Sequence, residues 1–320
     1  TLGGVIASRA YGDAAAGAAL GGYALPYAFV GGALLVATGD PVGIVPLVRW
    51  IGAPEALVGS VTLLLFAISG LAGIAAGLRV FAAGVTVGVL GAGAALAGFF
   101  LPASGAAAIL ISVLVCGIGV VPLLAIRFGK LPMPPITLPT GAEAAEGFTA
   151  AGGGASDGVR ERPDRSRVAA AVARTEELLT GMLIGHAVLA IVAIVMLVMV
   201  GGLAGWLLVA VSAGALLLRS RLYVTVRQRV PLITAGLTGF GALGIALAVE
   251  AEAMGLLGLS VGGLVIALMT IAAGATYSRR PPSPYLGRAA DVLDTLMVVA
   301  VVPVACAVLG LYGRARGLLG

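Results

Sequence analysis

Charged residues are scarce in this sequence: only 10% of its 320 residues are Asp, Glu, Lys or Arg, and only one residue is histidine. Soluble domains carry about 25% charged residues and about 45–50% apolar ones. Here 60% of the residues are hydrophobic, and the mean hydropathy is +1.12. A water-soluble fold cannot bury this much apolar surface. The composition therefore predicts a protein that crosses a membrane several times.

Cysteine is also rare, with two residues, Cys116 and Cys306, each inside an apolar run. Neither belongs to a CxxC motif, and neither has a His or Asp close by in the sequence. We interpret both as small buried hydrophobic side chains. The sequence thus predicts neither a disulfide framework nor a metal site.

Nine apolar runs are long enough to cross a bilayer as helices, because a hydrocarbon core of about 30 Å needs about 20 helical residues. The predicted fold class is therefore all-α, a polytopic transmembrane helical bundle. The nine predicted spans are residues 14–38, 55–77, 79–101, 104–126, 179–200, 202–219, 230–250, 255–277 and 290–312.

Basic residues are distributed unevenly between the two sides that these spans define. Sixteen of the nineteen Lys and Arg residues lie on the side that holds residue 1. Because basic loops stay in the cytoplasm, this side is predicted to be cytoplasmic and the C-terminus extracytoplasmic. The net charge of +5 comes from these basic loop residues, which we interpret as topology signals. No nucleic-acid partner is therefore expected.

The first residues of the sequence predict that a further span begins upstream of Thr1. The chain starts at Thr1 without Met or a signal-peptide pattern, and residues 2–8 resemble the tail of a span that began upstream. An even number of spans, most simply two, would then precede Thr1, giving eleven in the intact protein. The predicted organisation is a span tail and turn at 1–12, a four-helix part at 13–127, a cytoplasmic loop at 128–177, a five-helix part at 178–312 and an extracytoplasmic tail at 313–320.

The cytoplasmic loop begins with a proline-rich stretch and continues with small residues. Its last part contains neither Gly nor Pro between residues 165 and 180, which favours helix. We predict that the fifth helix starts near Ser166 and extends about 18 Å beyond the membrane before its span begins.

Ionisable residues, which mark transport paths and intramembrane active sites, are almost absent from the predicted spans. His186 is the one histidine, and without a nearby acidic partner it favours an interhelical hydrogen bond or an interfacial position over a proton relay. Asp291 and Asp294 are three residues apart on one helix face and could act as a metal or acid–base pair. We interpret them instead as first-turn residues that favour the helix N-terminus, with Arg288 nearby. Glu250 and Glu252 are interpreted as a solvated helix margin, so no catalytic residue, cofactor or metal is predicted.

Glycine pairs at four-residue spacing recur within the spans, a pattern that lets helix backbones approach closely in lipid. In a chain with 50 glycines each pair is weak evidence, but together they predict tight helix packing. The helix-packing candidates are Gly73, Gly77, Gly84, Gly88, Gly181, Gly185, Gly258 and Gly262.

Four segments together resemble one known family. They are "RSRLYVTVRQRVPLITAG" at 219–236, "RRPPSPYLGRAADVLDTL" at 279–296, "PVACAVLGLYGRARGL" at 303–318 and "LPMPPITLP" at 131–139. In their order along the chain they resemble EccD, the multi-spanning membrane subunit of type VII (ESX) secretion systems of mycobacteria and related actinobacteria. The resemblance extends over essentially the whole chain.

The resemblance implies a non-catalytic core subunit of the inner membrane. It implies eleven spans after a cytoplasmic ubiquitin-like domain, and this sequence is then expected to correspond to the part that follows that domain and the first two spans. It also implies a second EccD copy, the subunits EccB, EccC (an ATPase) and EccE as partners, and a lipid-containing vestibule. Basic residues near the membrane are then candidate contacts for acidic partner segments or anionic lipids, although topology retention alone explains them equally well. These partner-contact candidates are Arg160, Arg162, Arg165, Arg167, Arg174, Arg279, Arg280, Tyr285 and Arg288.

Two other functions remain open from the residues alone. Prolines inside spans and many glycines are compatible with a secondary transporter or permease, although the halves show no evident repeat. The other hypothesis is an intramembrane enzyme centred on His186 or Asp294.

Overall fold

The computed structural model describes residues 1–37, 51–74, 76–129, 165–277 and 284–319, and these residues are almost entirely helical. In lipid, a helix satisfies its own backbone hydrogen bonds, which is why apolar sequence adopts this structure. The helices of the described ranges are α1 (Leu2–Arg9), α2 (Ala14–Leu34), α3 (Ala53–Gly73), α4 (Leu78–Ala97), α5 (Ala103–Gly117), α6 (Val121–Gly129), α7 (Arg165–Val200), α8 (Gly202–Arg219), α9 (Val226–Glu250), α10 (Ala253–Tyr277), α11 (Pro284–Val308) and α12 (Leu311–Leu319).

Local signals set several of the helix boundaries. The Asp13 side chain accepts a hydrogen bond of 2.9 Å from the Ala16 amide and caps α2. Gly77 has a φ of 78° immediately before α4, and Gly202, the first residue of α8, has a φ of 57° directly after the turn from α7. Only glycine adopts such values without strain, so these two residues allow neighbouring helices to reverse direction within a few residues.

The longest helix, α7, is the centre of the bundle. It contacts α4, α5, α6, α8 and α9, and its side chains Leu183, Ile194 and Leu197 are fully buried. Its start at Arg165 lies one residue before the predicted start near Ser166. A second, smaller core joins α2, α3 and α4 around the fully buried Phe81 and Ala67. The bundle therefore consists of an N-terminal group, α1 to α4, connected through α7 to a larger C-terminal group.

The predicted span 104–126 is not one straight helix. It is divided into α5 and α6, which meet at an angle of 66°. Residues 118–120 separate them. Val120 N–H donates to the Gly117 carbonyl and Val121 N–H to the Ile118 carbonyl, whereas the Val115 carbonyl receives no backbone hydrogen bond from the residues that follow α5. The break therefore leaves the Val115 carbonyl as a free acceptor near the core.

The described residues contain seven helices long and apolar enough to cross a membrane, or eight if the bent pair α5–α6 is one span. The polytopic helical bundle is confirmed, but this number is below the nine predicted spans. The remaining predicted span, 14–38, corresponds to α2, which has 21 residues but contains two tyrosines, five glycines and Pro26. These residues dilute its apolar character, although its length suffices to cross.

The long helices α10 and α11 near the C-terminus are the least buried of the described spans, although α11 packs against α8 and α5. No residue of α10 is buried within its apolar span, and α11 is buried only around Val301 and Ala305. The predicted tail at 313–320 is largely helical, because α12 occupies Leu311–Leu319. An apolar helix exposed in this way is compatible with lipid or with other membrane helices around it.

Candidate functional site

Polar side chains of the described residues gather where α8 ends, α11 begins and α5 breaks from α6. We call this cluster the polar junction. It consists of the side chains of Arg219, Arg221, Tyr223, Asp291 and Asp294.

Arg219 occupies the centre of the polar junction at the last residue of α8. Its Nη1 donates a hydrogen bond of 2.7 Å to the carbonyl of Val115, which the break after α5 leaves without a backbone partner. Its Nε lies 3.5 Å from Oδ1 of Asp294, and the two side chains are only 14% and 20% exposed. Neither of these two atoms forms a hydrogen bond, so their attraction is coulombic. One arginine thus connects α5, α8 and α11.

Asp291 pairs with a different arginine. Its Oδ1 accepts a hydrogen bond of 2.7 Å from Nη2 of Arg221, with side chains that are 70% and 41% exposed. The expected neighbour Arg288 is not its partner, because the packing of α8 against α11 brings Arg221 closer. Both aspartates of the predicted acid pair are therefore engaged by arginines. Within the described ranges no three His, Cys, Asp or Glu side chains are placed to hold a metal ion.

Tyr223 follows α8 and fills the space beside the break in α5. Its hydroxyl donates to the carbonyl of Ile118 at 3.3 Å, and Arg229 Nε donates to the Tyr223 carbonyl. Burial raises the pKa of Tyr223 to about 12, while the charge of Arg219 acts in the opposite direction. The phenol therefore stays neutral and keeps its proton for the backbone acceptor.

A Tyr223→Phe variant tests this arrangement through its pH dependence. Because the folded-state pKa is raised, the stability contributed by the neutral phenol is complete below about pH 10 and is lost as the pH rises towards 12. Without the hydrogen bond the variant should be about 1 kcal/mol less stable at about pH 9. This difference should shrink at about pH 11, as measured by denaturant midpoints in detergent. The control is Tyr285→Phe, because Tyr285 is 82% exposed. An alkaline loss that is the same in Tyr223→Phe and wild type would contradict the prediction.

The partner-contact candidates are only partly described. Arg160, Arg162, Arg279 and Arg280 lie outside the described residues, and Arg165 is described only as the first residue of α7. Arg167 and Arg174 are exposed on α7, whereas Tyr285 and Arg288 are exposed in the first turns of α11. Their role as contacts stays a prediction.

The glycine pairs differ sharply in their surroundings. A Cβ at Gly88 would lie 2.6 Å from Leu64 Cβ, and one at Gly185 would lie 2.7 Å from Thr86 Cβ. Gly258 and Gly262 on α10 have no such neighbour within 4 Å. The remaining candidates, Gly73, Gly77, Gly84 and Gly181, each face an atom of another helix at less than 3 Å.

Two residues singled out in the spans are placed differently from expectation. His186 is buried on α7, and its Nδ1 donates to the Met182 carbonyl at 2.9 Å. This bond lies within one helix, not between helices as expected. Cys306 is half-buried, but Cys116 is exposed on α5, so the prediction that Cys116 is buried is wrong.

Known proteins match this chain in sequence and in fold. The family model described as "EccD-like transmembrane domain" matches residues 1–318. No curated protein matches the sequence. A chain of "protomer 1 of the ESX-3 core complex" is similar in structure, with a TM-score of 0.70 and 20% identity, covering 98% of this chain and 67% of that one. A chain of the "MycP5-free ESX-5 inner membrane complex, State II" has a TM-score of 0.53 and 20% identity, covering 81% and 62%.

At 20% identity the two structural similarities establish a common fold. The chain spans about two thirds of the length of those solved chains. The family match is broader, because it covers nearly every residue of the sequence and coincides with a polytopic helical membrane architecture. The chain belongs to the EccD family of transmembrane proteins.

Proposed function

We propose that the chain is a non-catalytic scaffold subunit in the inner-membrane core of a type VII (ESX) secretion complex. The observation that carries the proposal is the EccD family match over residues 1–318. The similar solved chains come from an ESX-3 core complex and an ESX-5 inner membrane complex, which supports assembly with other subunits. The partners proposed for this chain are a second EccD copy, EccB, the ATPase EccC, EccE and membrane lipids around a vestibule.

The described side chains support a scaffold because their polar groups connect helices to one another. In the polar junction, Arg219 and Arg221 bind the carboxylates of α11. His186 makes its hydrogen bond within its own helix. Apart from these, the described apolar spans offer little ionisable chemistry to a substrate, so no observation favours the transporter or the enzyme.

The proposed topology places residue 1, the loop 128–177 and the start of α11 in the cytoplasm, with the C-terminus outside. Exposed basic residues at the start of α11 and along α7 then face the compartment that holds an ATPase. In this topology Arg288 and Tyr285 are available for contact with partner subunits, because both are exposed on the described surface.

Affinity purification of the tagged full-length protein in mild detergent tests the proposal. We expect the ATPase subunit and the other core subunits to co-purify, and Arg288→Ala to reduce their recovery severalfold. The matched control is Arg314→Ala, which removes an exposed arginine from α12 at the proposed extracytoplasmic end. Purification as an isolated monomer without an ATPase subunit would contradict the scaffold. Equal recovery with Arg288→Ala and wild type would contradict the contact assigned to Arg288.

A further inference from the structure

A polar cleft of about 500 Å³ lies between the start of α4, the first half of α7 and the start of α9. Its size is within the range of about 300–1,000 Å³ typical of small-ligand sites. It is separate from the polar junction, since none of the junction side chains lines it. Its lining includes the charged and polar side chains of Arg79, Glu176, Glu177, Thr225, Arg227 and Gln228.

The cleft brings together charges of both signs. Arg79 and Arg227 contribute two cations from the first turns of α4 and α9, and two adjacent glutamates of α7 contribute two anions. The ion pairs of the described residues are those of the polar junction, so these four groups are unpaired within that part of the chain. Unpaired charges of opposite sign in one cleft suit a ligand that carries both a cation and an anion.

Gln228 indicates that the cleft is built for a polar ligand. The residue is only 6% exposed and lines the cleft, and its side-chain amide makes no hydrogen bond to the side chains or backbone of the described residues. The amide atoms are not fully enclosed, so a ligand or water in the cleft can supply the missing hydrogen bonds.

The start of α9 adds further donors to the same place. Thr225 is its N-cap residue, but the threonine side chain does not cap the helix and is free to bind elsewhere. The first amide groups of a helix favour an anion, and in α9 those of Val226 and Arg227 are free within the described part of the chain, since the Gln228 backbone amide already donates to the Thr225 carbonyl. Together with Arg227 and Gln228, they form a set of donors around one position.

We propose that this cleft binds the headgroup of a phospholipid that carries a phosphate and a primary ammonium group, as phosphatidylethanolamine does. The phosphate is held by Arg79, Arg227 and the first amides of α9. The ammonium group donates its hydrogen bonds to Glu176 and Glu177, and Gln228 bonds the ester oxygens. Each ionic group of the ligand thus meets its opposite charge.

The position of the cleft favours a lipid over a soluble zwitterion. The cleft lies where α4 and α9 begin, at one end of two membrane-spanning helices. Val226, which lines the cleft, is 71% exposed, and Val80 beside Arg79 is also exposed. Acyl chains attached to a headgroup in the cleft can therefore lie against apolar helix surface.

Native mass spectrometry of the full-length protein, released from nanodiscs of phosphatidylcholine with equal minor fractions of phosphatidylethanolamine and phosphatidylglycerol, tests the proposal. We expect about tenfold enrichment of phosphatidylethanolamine over either other lipid, because each charge-assisted hydrogen bond adds substantially to affinity. Phosphatidylcholine fills the anion site but its quaternary ammonium cannot donate hydrogen bonds, and phosphatidylglycerol has no cation. Soluble phosphoethanolamine should displace the lipid only weakly.

Two variants separate the halves of the site. Glu176→Gln should abolish the preference for phosphatidylethanolamine over phosphatidylglycerol, whereas Gln228→Leu should lower the retention of both severalfold. Arg314→Gln is the control, because it removes an exposed arginine on α12 that does not line the cleft. Circular dichroism of each variant confirms folding. Equal retention of the three lipids by wild type, unchanged retention in both cleft variants, or strong displacement by soluble phosphoethanolamine would overturn the proposal.

Discussion

An Asp294→Ala variant is expected to lose about 3 kcal/mol of folding free energy, since breaking a buried ion pair on one side costs about 3–5 kcal/mol. Asp294 is 20% exposed and faces the 14% exposed Arg219 at 3.5 Å. Its removal leaves a guanidinium charge inside the bundle whose hydrogen bond to the Val115 carbonyl does not neutralise it. The packing of α11 against α8 would be weakened. The free energy of unfolding is measured by denaturant titration in detergent, followed by circular dichroism.

Asp291→Ala is the matched control for this prediction. It removes the same kind of carboxylate, three residues earlier on the same helix, from a pair whose side chains are 41% and 70% exposed. Exposed ion pairs contribute about 0–1 kcal/mol, so this variant should be nearly as stable as wild type. The double variant Arg219→Met with Asp294→Leu should recover most of the stability, because no charge is left buried. If Asp294→Ala and Asp291→Ala have the same effect, the ion pair does not hold α11 in place.

Alanine at Gly88 or Gly185 is expected to destabilise the bundle by about 2 kcal/mol, within the range of about 1–3 kcal/mol for overpacking. At Gly88 the new Cβ meets Leu64 Cβ at 2.6 Å and Leu64 N at 3.1 Å, so the backbone of α3 has to move. At Gly185 it meets Thr86 Cβ at 2.7 Å and the Ala83 carbonyl at 2.8 Å on α4. Neither contact can be relieved by a side-chain rotation alone. Thermal and denaturant unfolding of the single variants measure the effect.

The controls for the glycine prediction lie on α10. Gly258→Ala and Gly262→Ala should leave the stability of the isolated chain unchanged or raise it by up to about 1 kcal/mol, because the new methyl meets no atom within 4 Å and alanine favours helix. Equal losses at Gly88 and Gly258 would show that close packing is not the cause. If Gly258→Ala instead lowers recovery of the assembled complex without changing the isolated chain, α10 contacts another helix there.

The helices of this protein follow from composition, whereas its polar contacts do not. Runs of about 20 apolar residues predict spans directly, and the start of α7 near Ser166 follows from a stretch without Gly or Pro. The break between α5 and α6 was not predicted. Two carbonyls at the break, those of Val115 and Ile118, accept hydrogen bonds from Arg219 and Tyr223, which lie 104 and 105 residues further along the chain. Local sequence carries no information about such partners.

The aspartates of α11 illustrate the same limit. Spacing alone indicated that Asp291 and Asp294 share a helix face, and it placed Arg288 near them. Their partners are the arginines at the end of α8, because the packing of α8 against α11 decides which charges meet. The sequence does place both pairs of charges at span ends: Arg219 and Arg221 lie at the end of one apolar run, and Asp291 and Asp294 lie at the start of another. It does not indicate that these two span ends meet.

The length of α7 has a consequence for a membrane complex. Its 36 residues form one helix of about 54 Å, whereas a hydrocarbon core is about 30 Å thick. The described helix contains no proline, so it has no proline hinge between the part outside the membrane and the part packed at the centre of the bundle. The helix that extends beyond the hydrocarbon core is therefore the same helix that packs against α4, α5, α6, α8 and α9. A partner that binds its outer part would contact the element that joins both halves of the bundle.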